Sequence, residues 1–285
     1  MITRYEIKFR INHQQKVAFL DAARFGLEED PHGDNACYRV TSVYFDAPEL
    51  DFYWEKVEGI AIRTKLRLRY YGELTPGQGL GDRPCFLELK HRIKDCVYKD
   101  RVRLTPGGAQ KILEDNDNLR YLERFAIDPS PNDLKAIETM RRLHAAKLLR
   151  GTNTISYFRE AWIGSVDNRL RITFDQMART LNPELFDHAG PHTGLPIIPP
   201  AHYILEVKFN EAFPRWVRDI VADQQLYPRR FSKYAAGIET LHSNRVRSRS
   251  HIWALESGVG TSDPTADEEA AEIVESMPAE LPVGV

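Results

Sequence analysis

The chain has 285 residues, of which 42% are hydrophobic and 10% aromatic, so it is long enough to bury a sizeable core. Its formal net charge is −2, but residues 250–285 contain eight Asp and Glu and no Lys or Arg, so residues 1–249 hold 39 basic and 33 acidic side chains, a net charge of +6. The three cysteines keep no Cys-x-x-Cys spacing and no run of ~18 apolar residues occurs, which argues against a disulfide framework, a cysteine zinc site and a membrane-spanning helix.

Alternation of apolar and polar residues, the period of a half-buried strand, recurs along the chain and predicts eight strands. In chain order they cover residues 3–11, 38–46, 60–71, 85–93, 97–104, 153–163, 168–175 and 203–209. Helical patterns cover residues 13–25, 107–126, 132–149, 212–226 and 232–246. Strands dominate, and a Gly- and Pro-rich segment at 70–84 has the composition of a hairpin loop. The pattern therefore predicts an α+β fold built on an antiparallel sheet.

Two segments show neither the alternation of a strand nor a helical pattern. Residues 182–202 are rich in Pro, Gly and His and are predicted to form a long surface loop, in which the three histidines keep no metal-ligand spacing. Residues 250–285 are polar and acidic and are predicted to be a disordered tail. The chain is thus divided into one domain at residues 1–249 and a tail at residues 250–285, and the reducing cytoplasm is the expected location.

Charged residues are concentrated on one face of the predicted strands. Three strands contain the motif Glu-x-Lys, and side chains two residues apart lie on the same side of a strand. These motifs are Glu6 with Lys8, Glu88 with Lys90, and Glu206 with Lys208. The same alternation places further cations on one face, namely Arg63, Lys65, Arg67, Arg69, Lys99, Arg101, Arg103, Arg169 and Arg171.

A charged sheet face can simply be solvated, as on one side of an open antiparallel sheet. Such a face normally mixes both signs of charge, whereas here about a dozen cations share it with few carboxylates. The helices need the apolar faces, so the charged faces must point away from them. Eight strands that close into a barrel would direct these cations into a lumen. Four cations at ~6.6 Å intervals along residues 60–71 would span ~20 Å, which suits a linear chain of phosphates.

The carboxylates among these cations are candidate metal ligands. A Glu that faces phosphate is repelled unless a cation lies between them, and Mg²⁺ or Mn²⁺ binds carboxylate and phosphate oxygens together. Glu206 is the first candidate ligand, followed by Glu88 and Glu6. The alternative is that each Glu forms a structural salt bridge with its neighbouring Lys.

The chain resembles the VTC domain, the catalytic module of polyphosphate polymerases within the triphosphate tunnel metalloenzyme superfamily. The resemblance runs over roughly residues 1–245 and depends on a set of segments in the expected order. They are RYEIKF (4–9), SVYFDAPELDFYWEK (42–56), IRTKLRLRYYG (62–72), FLELKHR (86–92), VYKDRVRL (97–104), YFREAW (157–162), LRITFD (170–175), ILEVKF (204–209) and RRFSKYAAGIE (229–239).

The resemblance implies an eight-stranded antiparallel tunnel with helices packed outside, which binds ATP and inorganic polyphosphate or pyrophosphate. It implies a divalent metal, Mn²⁺ or Mg²⁺, held by Glu206, and transfer of the ATP γ-phosphate to a growing chain. The phosphate-binding residues carried over are Lys8, Arg67, Arg69, Lys90, Arg159, Arg171, Ser232 and Lys233. Arg230 stands where a Lys is expected. Alternation along the strands adds Arg63, Lys65, Arg101, Arg103 and Lys208 to the predicted lumen.

Two other functions are open alternatives. A hydrolase of the same tunnel type would cleave triphosphate or a nucleoside triphosphate with water, but such relatives usually begin with Glu-x-Glu-x-Lys, and Arg4 occupies the first Glu position. A non-catalytic barrel would bind polyphosphate or nucleic acid. Single-stranded nucleic-acid grooves interleave cations with aromatic residues, whereas the residues between the cations of 61–69 are aliphatic or Thr. Nucleic acid is therefore not an expected partner, nor is a membrane segment expected in this chain.

Deletion of residues 256–285 is expected to leave the melting temperature and activity nearly unchanged, because the segment has no core-forming pattern. Thermal denaturation and an activity assay of the truncated chain test this. The alternative is that the acidic residues bind the basic lumen and inhibit the protein. A clear gain of activity on deletion would favour this alternative.

Overall fold

The computed structural model describes residues 4–31, 35–93, 96–244 and 246. Its strands are β1 (Arg4–Asn12), β2 (Leu27–Glu29), β3 (Cys37–Asp46), β4 (Ile62–Tyr71), β5 (Cys85–Ile93), β6 (Cys96–Leu104), β7 (Arg150–Gly164), β8 (Arg171–Leu181), β9 (Leu195–Pro196) and β10 (His202–Asn210). Its α-helices are α1 (His13–Ala23), α2 (Asp51–Val57), α3 (Pro106–Glu114), α4 (Pro131–Lys147), α5 (Arg215–Asp223) and α6 (Lys233–Leu241). The predicted tail, residues 250–285, lies outside the described residues.

Eight long strands form one continuous antiparallel sheet in the order β1-β10-β8-β7-β3-β4-β5-β6. All eight correspond to predicted strands, and helices pack against the sheet, so the α+β prediction is confirmed. The short strands β2 and β9 pair with β7 and β8 and were not predicted, because three and two residues are too few to show a period. None of the described helices has the length and hydropathy needed to cross a bilayer.

The sheet curls but does not close through backbone pairing. Strands β1 and β6 are the two ends of the described sheet, so the predicted closed barrel is wrong in this respect. The segment after α5 covers the free edge of β1 instead, since the Arg229 N–H donates to the Lys8 carbonyl at 2.8 Å and Pro228 bridges Phe9. Five strand spacings would place β1 about 24 Å from β4 in a flat sheet. Lys8 on β1 and Lys65 on β4 nevertheless contact adjacent residues, Phe231 at 3.2 Å and Ser232 at 3.1 Å, so the sheet curves into a channel.

Helices α1, α3, α4 and α5 cover the apolar face, which we call the outer face. Leu66, Leu68 and Leu87 on β4 and β5 belong to one buried cluster with Ile112 of α3 and Ile137 of α4. A second cluster joins α1 and α5 to β1, β8 and β10. The charged residues of these strands therefore lie on the opposite, inner face, as the alternation predicts.

Helix α6 packs on the inner face and fills part of it with apolar side chains. Tyr234 and Ile238 of α6 lie in a third buried cluster with Tyr44 and Ile155 of β3 and β7. Gly237 permits this close approach, because a Cβ at that position would overlap the Asn153 side chain. The inner face is thus partly apolar, and α6 delivers its N-terminal residues to the charged remainder.

The structure differs from the predicted elements in three places. The helix predicted over 107–126 is divided into α3 and a 3₁₀ helix at Asn116–Phe125, because Asp115 is extended and its carboxylate caps the second helix. Helix α2 was missed in the sequence, and the buried Asp46 carboxylate accepts two of its N-terminal N–H groups, from Phe52 and Tyr53. The predicted loop 182–202 contains a short 3₁₀ helix at Pro183–His188 and strand β9.

Candidate functional site

Strand register brings oppositely charged residues together on the inner face. Lys8 of β1 is opposite Glu206 of β10, and Arg67 of β4 is opposite Glu88 of β5. Each of these two glutamates is the centre of a separate cluster of cations. We call them the Glu206 cluster and the Glu88 cluster.

In the Glu206 cluster, four cations surround one carboxylate whose residue is 4% exposed. Lys233 Nζ lies 2.9 Å from Oε1, and Lys208 Nζ lies 2.9 Å from Oε2. Arg159 Nη2 donates to Oε2 at 3.1 Å, and Lys8 Nζ lies 3.6 Å from Oε1. Glu206 therefore forms the ion pair with Lys208 that the structural alternative predicts, but shares its carboxylate with three further cations.

Asp175 completes the Glu206 cluster and was not predicted as a site residue. It is fully buried, and Arg159 donates to both of its oxygens at 2.6 and 2.7 Å. Lys233 Nζ lies 2.5 Å from Oδ2, so Arg159 and Lys233 each bridge Asp175 and Glu206. Alternation put Asp175 on the charged face, but its partners come from β7 and α6 and no local pattern identifies them.

Both buried carboxylates are held in the ionised form. Burial alone would raise the pKa of Glu206, but Lys208, Lys233, Lys8 and Arg159 outweigh it and hold that pKa well below its ordinary value. Burial would also raise the pKa of Asp175, but Arg159 and Lys233 outweigh this effect and lower that pKa below its ordinary value. The cluster therefore offers hard, negatively charged oxygens together with several cations, the combination that a metal-bound phosphate needs.

In the Glu88 cluster, one carboxylate whose residue is 2% exposed contacts four cations. Arg67 Nη2 lies 2.7 Å from Oε2, and Lys99 Nζ lies 2.8 Å from Oε1. Arg101 Nε and Arg69 Nη1 lie 3.3 and 3.8 Å from the carboxylate. Against burial, these cations, led by Arg67 and Arg69, lower the pKa of Glu88. The cluster has an excess of positive charge and is a place where phosphate groups would be stabilised.

Neutral side chains hold the two arginines of β4 in place. The Arg67 guanidinium donates to the Tyr44 hydroxyl at 3.0 Å, and Arg69 Nε donates to Ser42 Oγ at 3.0 Å. A longer contact of 3.4 Å joins Arg69 to the Tyr157 hydroxyl. These positioning residues were missed because they lie on β3 and β7, which the sequence alone does not place beside β4.

Lys65 and Lys90 are opposite each other on β4 and β5, and they differ from the cations of the two clusters in their contacts with carboxylates. Among the described residues, neither has a carboxylate oxygen at ion-pair distance, and the hydrogen bond of Lys65 is to Ser232 Oγ at 3.1 Å. Burial lowers the pKa of Lys65, and the nearby Lys8, Lys90, Lys56 and Arg67 lower it further, to about 7. Desolvation within the channel also lowers the pKa of Lys90, although Glu6 opposes the shift and Lys90 is more exposed to solvent than Lys65.

Lys65→Gln is expected to raise the melting temperature, because it removes an uncompensated charge. The folded pKa of about 7 lies below the ordinary 10.5, so the charged Lys65 destabilises the fold fully below pH 7, and the penalty disappears as pH rises toward 10.5. Thermal denaturation from pH 6 to 10 measures this difference. A variant with the same stability as the parent throughout that range would contradict the argument.

The other predicted residues lie around the two clusters. Glu6 contacts Lys8 at 3.0 Å and Lys208 at 3.7 Å. Arg171 contacts Asp30 at 2.6 Å and the Tyr38 hydroxyl at 3.0 Å. The side chains of the remaining predicted residues are placed as follows: Arg101 stacks 3.6 Å from the centre of the Phe86 ring, Arg63 is half-buried, and Arg103 and Arg230 are exposed.

Alternation places Arg169 on the same face as Arg171, but in the structure Arg169 does not share the inner face. Strand β8 begins only at Arg171, and the side chain of Arg169 folds onto Asp167 in the preceding turn, at 2.8 Å. Because Arg169 precedes the strand, the two-residue period does not extend to it.

The carboxylates do not form a ready-made metal cage. In the part of the chain that the structure describes, no three His, Cys, Asp or Glu side chains converge to hold a metal ion. Glu88 lies in a different cluster from Glu206, so these two candidate ligands would not bind one ion together. Each oxygen of Glu206 already has two cations within 3.6 Å, so a metal there would have to displace some of them, taking one carboxylate oxygen from Glu206 and its other ligands from phosphates, which is the usual way Mg²⁺ is held.

Comparison with known proteins identifies the family. The model of the family described as the VTC domain matches residues 3–242. Vacuolar transporter chaperone complex subunit 4 of Schizosaccharomyces pombe is 28% identical over 241 residues, and the match covers 73% of this chain but only 32% of that protein, about a third of its length.

Among solved structures, a candidate adenylate cyclase from Bacillus halodurans has a TM-score of 0.45 at 11% identity, covering 80% of this chain and 92% of its own. The PH1819 protein from Pyrococcus horikoshii OT3 has a TM-score of 0.41 at 12% identity, covering 83% and 99%. The family match extends over most of the chain and confirms the resemblance seen in the sequence: the chain belongs to the VTC domain family.

Proposed function

We propose that this chain is a metal-dependent polyphosphate polymerase, which transfers the γ-phosphate of ATP to the end of an inorganic polyphosphate chain inside the channel. The observation that carries the proposal is the pair of carboxylate-centred cation clusters on one inner face. Membership of the VTC domain family and the similarity to subunit 4 of the vacuolar transporter chaperone complex support the same function. Residues 1–249 would form the catalytic domain.

The cations of the channel would bind the phosphates and stabilise the transition state. Phosphoryl transfer spreads charge over the peripheral oxygens, so positioning and electrostatic stabilisation supply most of the catalysis. Arg67, Arg69 and Arg159 would make forked contacts with phosphate oxygens, and Lys233 would act as a point charge. As the phosphates enter, these side chains would exchange contacts with Glu88, Asp175 and Glu206 for contacts with the ligand.

Glu206 would hold the divalent cation. Mn²⁺ or Mg²⁺ bound there would neutralise the developing charge on the transferring phosphate. The exchange described above would free oxygens of Glu206 from Lys233 and Arg159. The charge of Glu206 acts on Glu6, and the two carboxylates share Lys8 and Lys208, so Glu6 would keep these lysines beside the ligand.

A tunnel-type hydrolase is the nearest alternative, and the ionisation of the carboxylates favours the polymerase. The pKa values of Glu6, Glu88, Asp175 and Glu206 are all lowered, which makes each a weak general base. Activation of water would therefore fall to a metal-bound hydroxide or to Lys65, whose pKa of about 7 would let it act as a base. The terminal phosphate of a chain is already ionised and needs neither, so it is the better acceptor here.

Incubation of the purified chain with ATP and Mn²⁺, followed by gel separation of the products, tests the proposal. A ladder of phosphate chains is expected, and its loss on chelation of the metal. Free phosphate alone would indicate the hydrolase. If ATP is not consumed but inorganic polyphosphate still binds, the chain is a non-catalytic binder, and if RNA binds more tightly than polyphosphate, the nucleic-acid alternative replaces both.

A further inference from the structure

The inner face contains a row of like charges, two of which have no carboxylate at ion-pair distance among the described residues. Cross-strand partners repeat the positive sign, with Lys65 opposite Lys90 and Lys90 opposite Lys99. Like charges directly opposite each other destabilise a sheet. Lys99 is compensated by Glu88 at 2.8 Å, whereas within the described residues Lys65 and Lys90 have no such carboxylate. An arrangement of this kind is stabilised when an anion binds between the two ammonium groups.

This position adjoins the Glu206 cluster through the start of α6. Ser232 Oγ accepts from Lys65 at 3.1 Å, and the next residue, Lys233, contacts Glu206 at 2.9 Å. Lys8 connects the two from the other side, since it contacts Glu206 at 3.6 Å and its charge also acts on Lys65. An anion at Lys65 and Lys90 would therefore be next to a phosphate held at Glu206.

On the basis of the proposed function, we propose that Lys65 and Lys90 hold the terminal phosphate of the acceptor polyphosphate chain, while the ATP triphosphate is bound at Glu206. The distribution of carboxylates supports this assignment. The donor triphosphate carries a divalent metal, which needs a carboxylate such as Glu206. A metal-free phosphate chain needs cations in excess of carboxylates. No described carboxylate lies at ion-pair distance from Lys65 or Lys90, although the charge of Glu6 acts on Lys90 from farther away.

Binding at this position should be coupled to proton uptake by Lys65. The charged groups that face Lys65 are Lys8 from β1, Lys90 from β5, Lys56 from α2 and Arg67 from its own strand, and all are positive. With a pKa of about 7, Lys65 is mostly neutral at pH 8. A bound phosphate would replace this positive surrounding with a negative neighbour, raise the pKa and draw in up to about one proton.

Isothermal titration calorimetry at pH 8, in buffers with different ionisation enthalpies, measures this proton uptake. The probe is short-chain inorganic polyphosphate without metal or ATP. The parent protein is expected to take up about one proton more per bound chain than Lys65→Arg, which stays charged at pH 8 in both states. Protons taken up by the phosphate chain itself cancel in the comparison. Equal uptake by two proteins that both bind the chain would overturn the proposal.

Steady-state kinetics distinguish the acceptor position from the donor position. They test the proposal even if Lys65→Arg does not bind the phosphate chain. Lys65→Gln and Lys90→Gln are expected to raise the KM for added short-chain polyphosphate about tenfold, the loss of one charge-assisted contact, while the KM for ATP changes less than about twofold. Lys135→Gln, an exposed lysine on α4, controls for net charge. An equal rise in both KM values would refute the acceptor assignment.

The failure of this inference can be told apart from the failure of the proposed function. If the protein makes phosphate chains from ATP, but Lys65→Arg shows the same proton uptake as the parent and Lys65→Gln the same KM for the acceptor, the function stands and the acceptor position is wrong. If no chain is made from ATP but the difference in proton uptake is found, Lys65 and Lys90 bind a phosphate chain and only the polymerase activity is rejected.

Discussion

Glu206→Gln is expected to reduce turnover by a factor of at least about 10², a loss of roughly 3 kcal/mol of transition-state stabilisation. The change preserves size and one acceptor oxygen but removes the charge that a hard divalent cation requires. Binding of polyphosphate without metal should persist or strengthen, because a negative charge leaves the channel. Turnover and the Mn²⁺ concentration for half-maximal activity are the measurements, and the latter should rise.

The comparison with Glu6→Gln separates metal binding from charge balance. Both glutamates contact Lys8 and Lys208, but Glu6 is nearer the solvent, with 31% of its side chain exposed against 5% for Glu206. If Glu206 only compensates these lysines, both variants should have the Mn²⁺ requirement of the parent. Full activity of Glu206→Gln would also reject the metal assignment. If Glu88→Gln alone raises the Mn²⁺ requirement, the ligand is Glu88.

The structure shows why local sequence patterns predicted the inner face but not the site. The two-residue period determines which face a side chain occupies, so Lys8, Arg67 and Glu206 could be assigned to one face directly. Which of them meet depends on strand order and curvature. Strand β10 follows β9 in the chain yet lies between β1 and β8, so the neighbours of Glu206 have no counterpart in local sequence.

The same limit explains why Asp175 was missed and why its contact with Arg159, a residue that the resemblance supplied, could not be predicted. Asp175 and Arg159 form two short hydrogen bonds from adjacent strands, but a β-bulge between Ser156 and Phe158 shifts their register, and alternation alone cannot predict such a shift. The pKa of Lys65 depends on Lys8, which is 57 positions away in sequence and reaches it only because the sheet curls. The resemblance to the VTC domain supplied candidate residues that such long-range contacts would otherwise conceal.

The second large effect is expected at Glu88, whose removal should destabilise the empty protein and increase its response to ligand. Glu88→Gln leaves Arg67, Arg69, Lys99 and Arg101 without their shared carboxylate. Loss of one partner from a buried ion pair costs about 3–5 kcal/mol, and the solvent exposure of Lys99 and Arg101 reduces this to about 2–3 kcal/mol. For a protein of this size the melting temperature should fall by roughly 4–12 °C.

The pH dependence has a defined sign. The folded pKa of Glu88 is lowered, so the stability that its charge contributes is present above the ordinary value of 4.5 and is lost as pH falls toward the folded pKa. The difference in melting temperature between parent and Glu88→Gln should therefore be full at neutral pH and should shrink below pH 4.5. Glu138→Gln, which removes an exposed carboxylate on α4 that contacts Arg142 at 2.7 Å, should cause no measurable change.

The response to polyphosphate shows whether Glu88 occupies a place that phosphate takes when it binds. Phosphate groups can replace the missing carboxylate, so saturating short-chain polyphosphate should raise the melting temperature of Glu88→Gln by more than that of the parent, and the two ligand-bound proteins should melt at similar temperatures. An equal rise in both proteins would mean that Glu88 keeps its cations when the ligand is bound. The four cations would then be structural, and the phosphate chain would depend on Lys65, Lys90 and the Glu206 cluster alone.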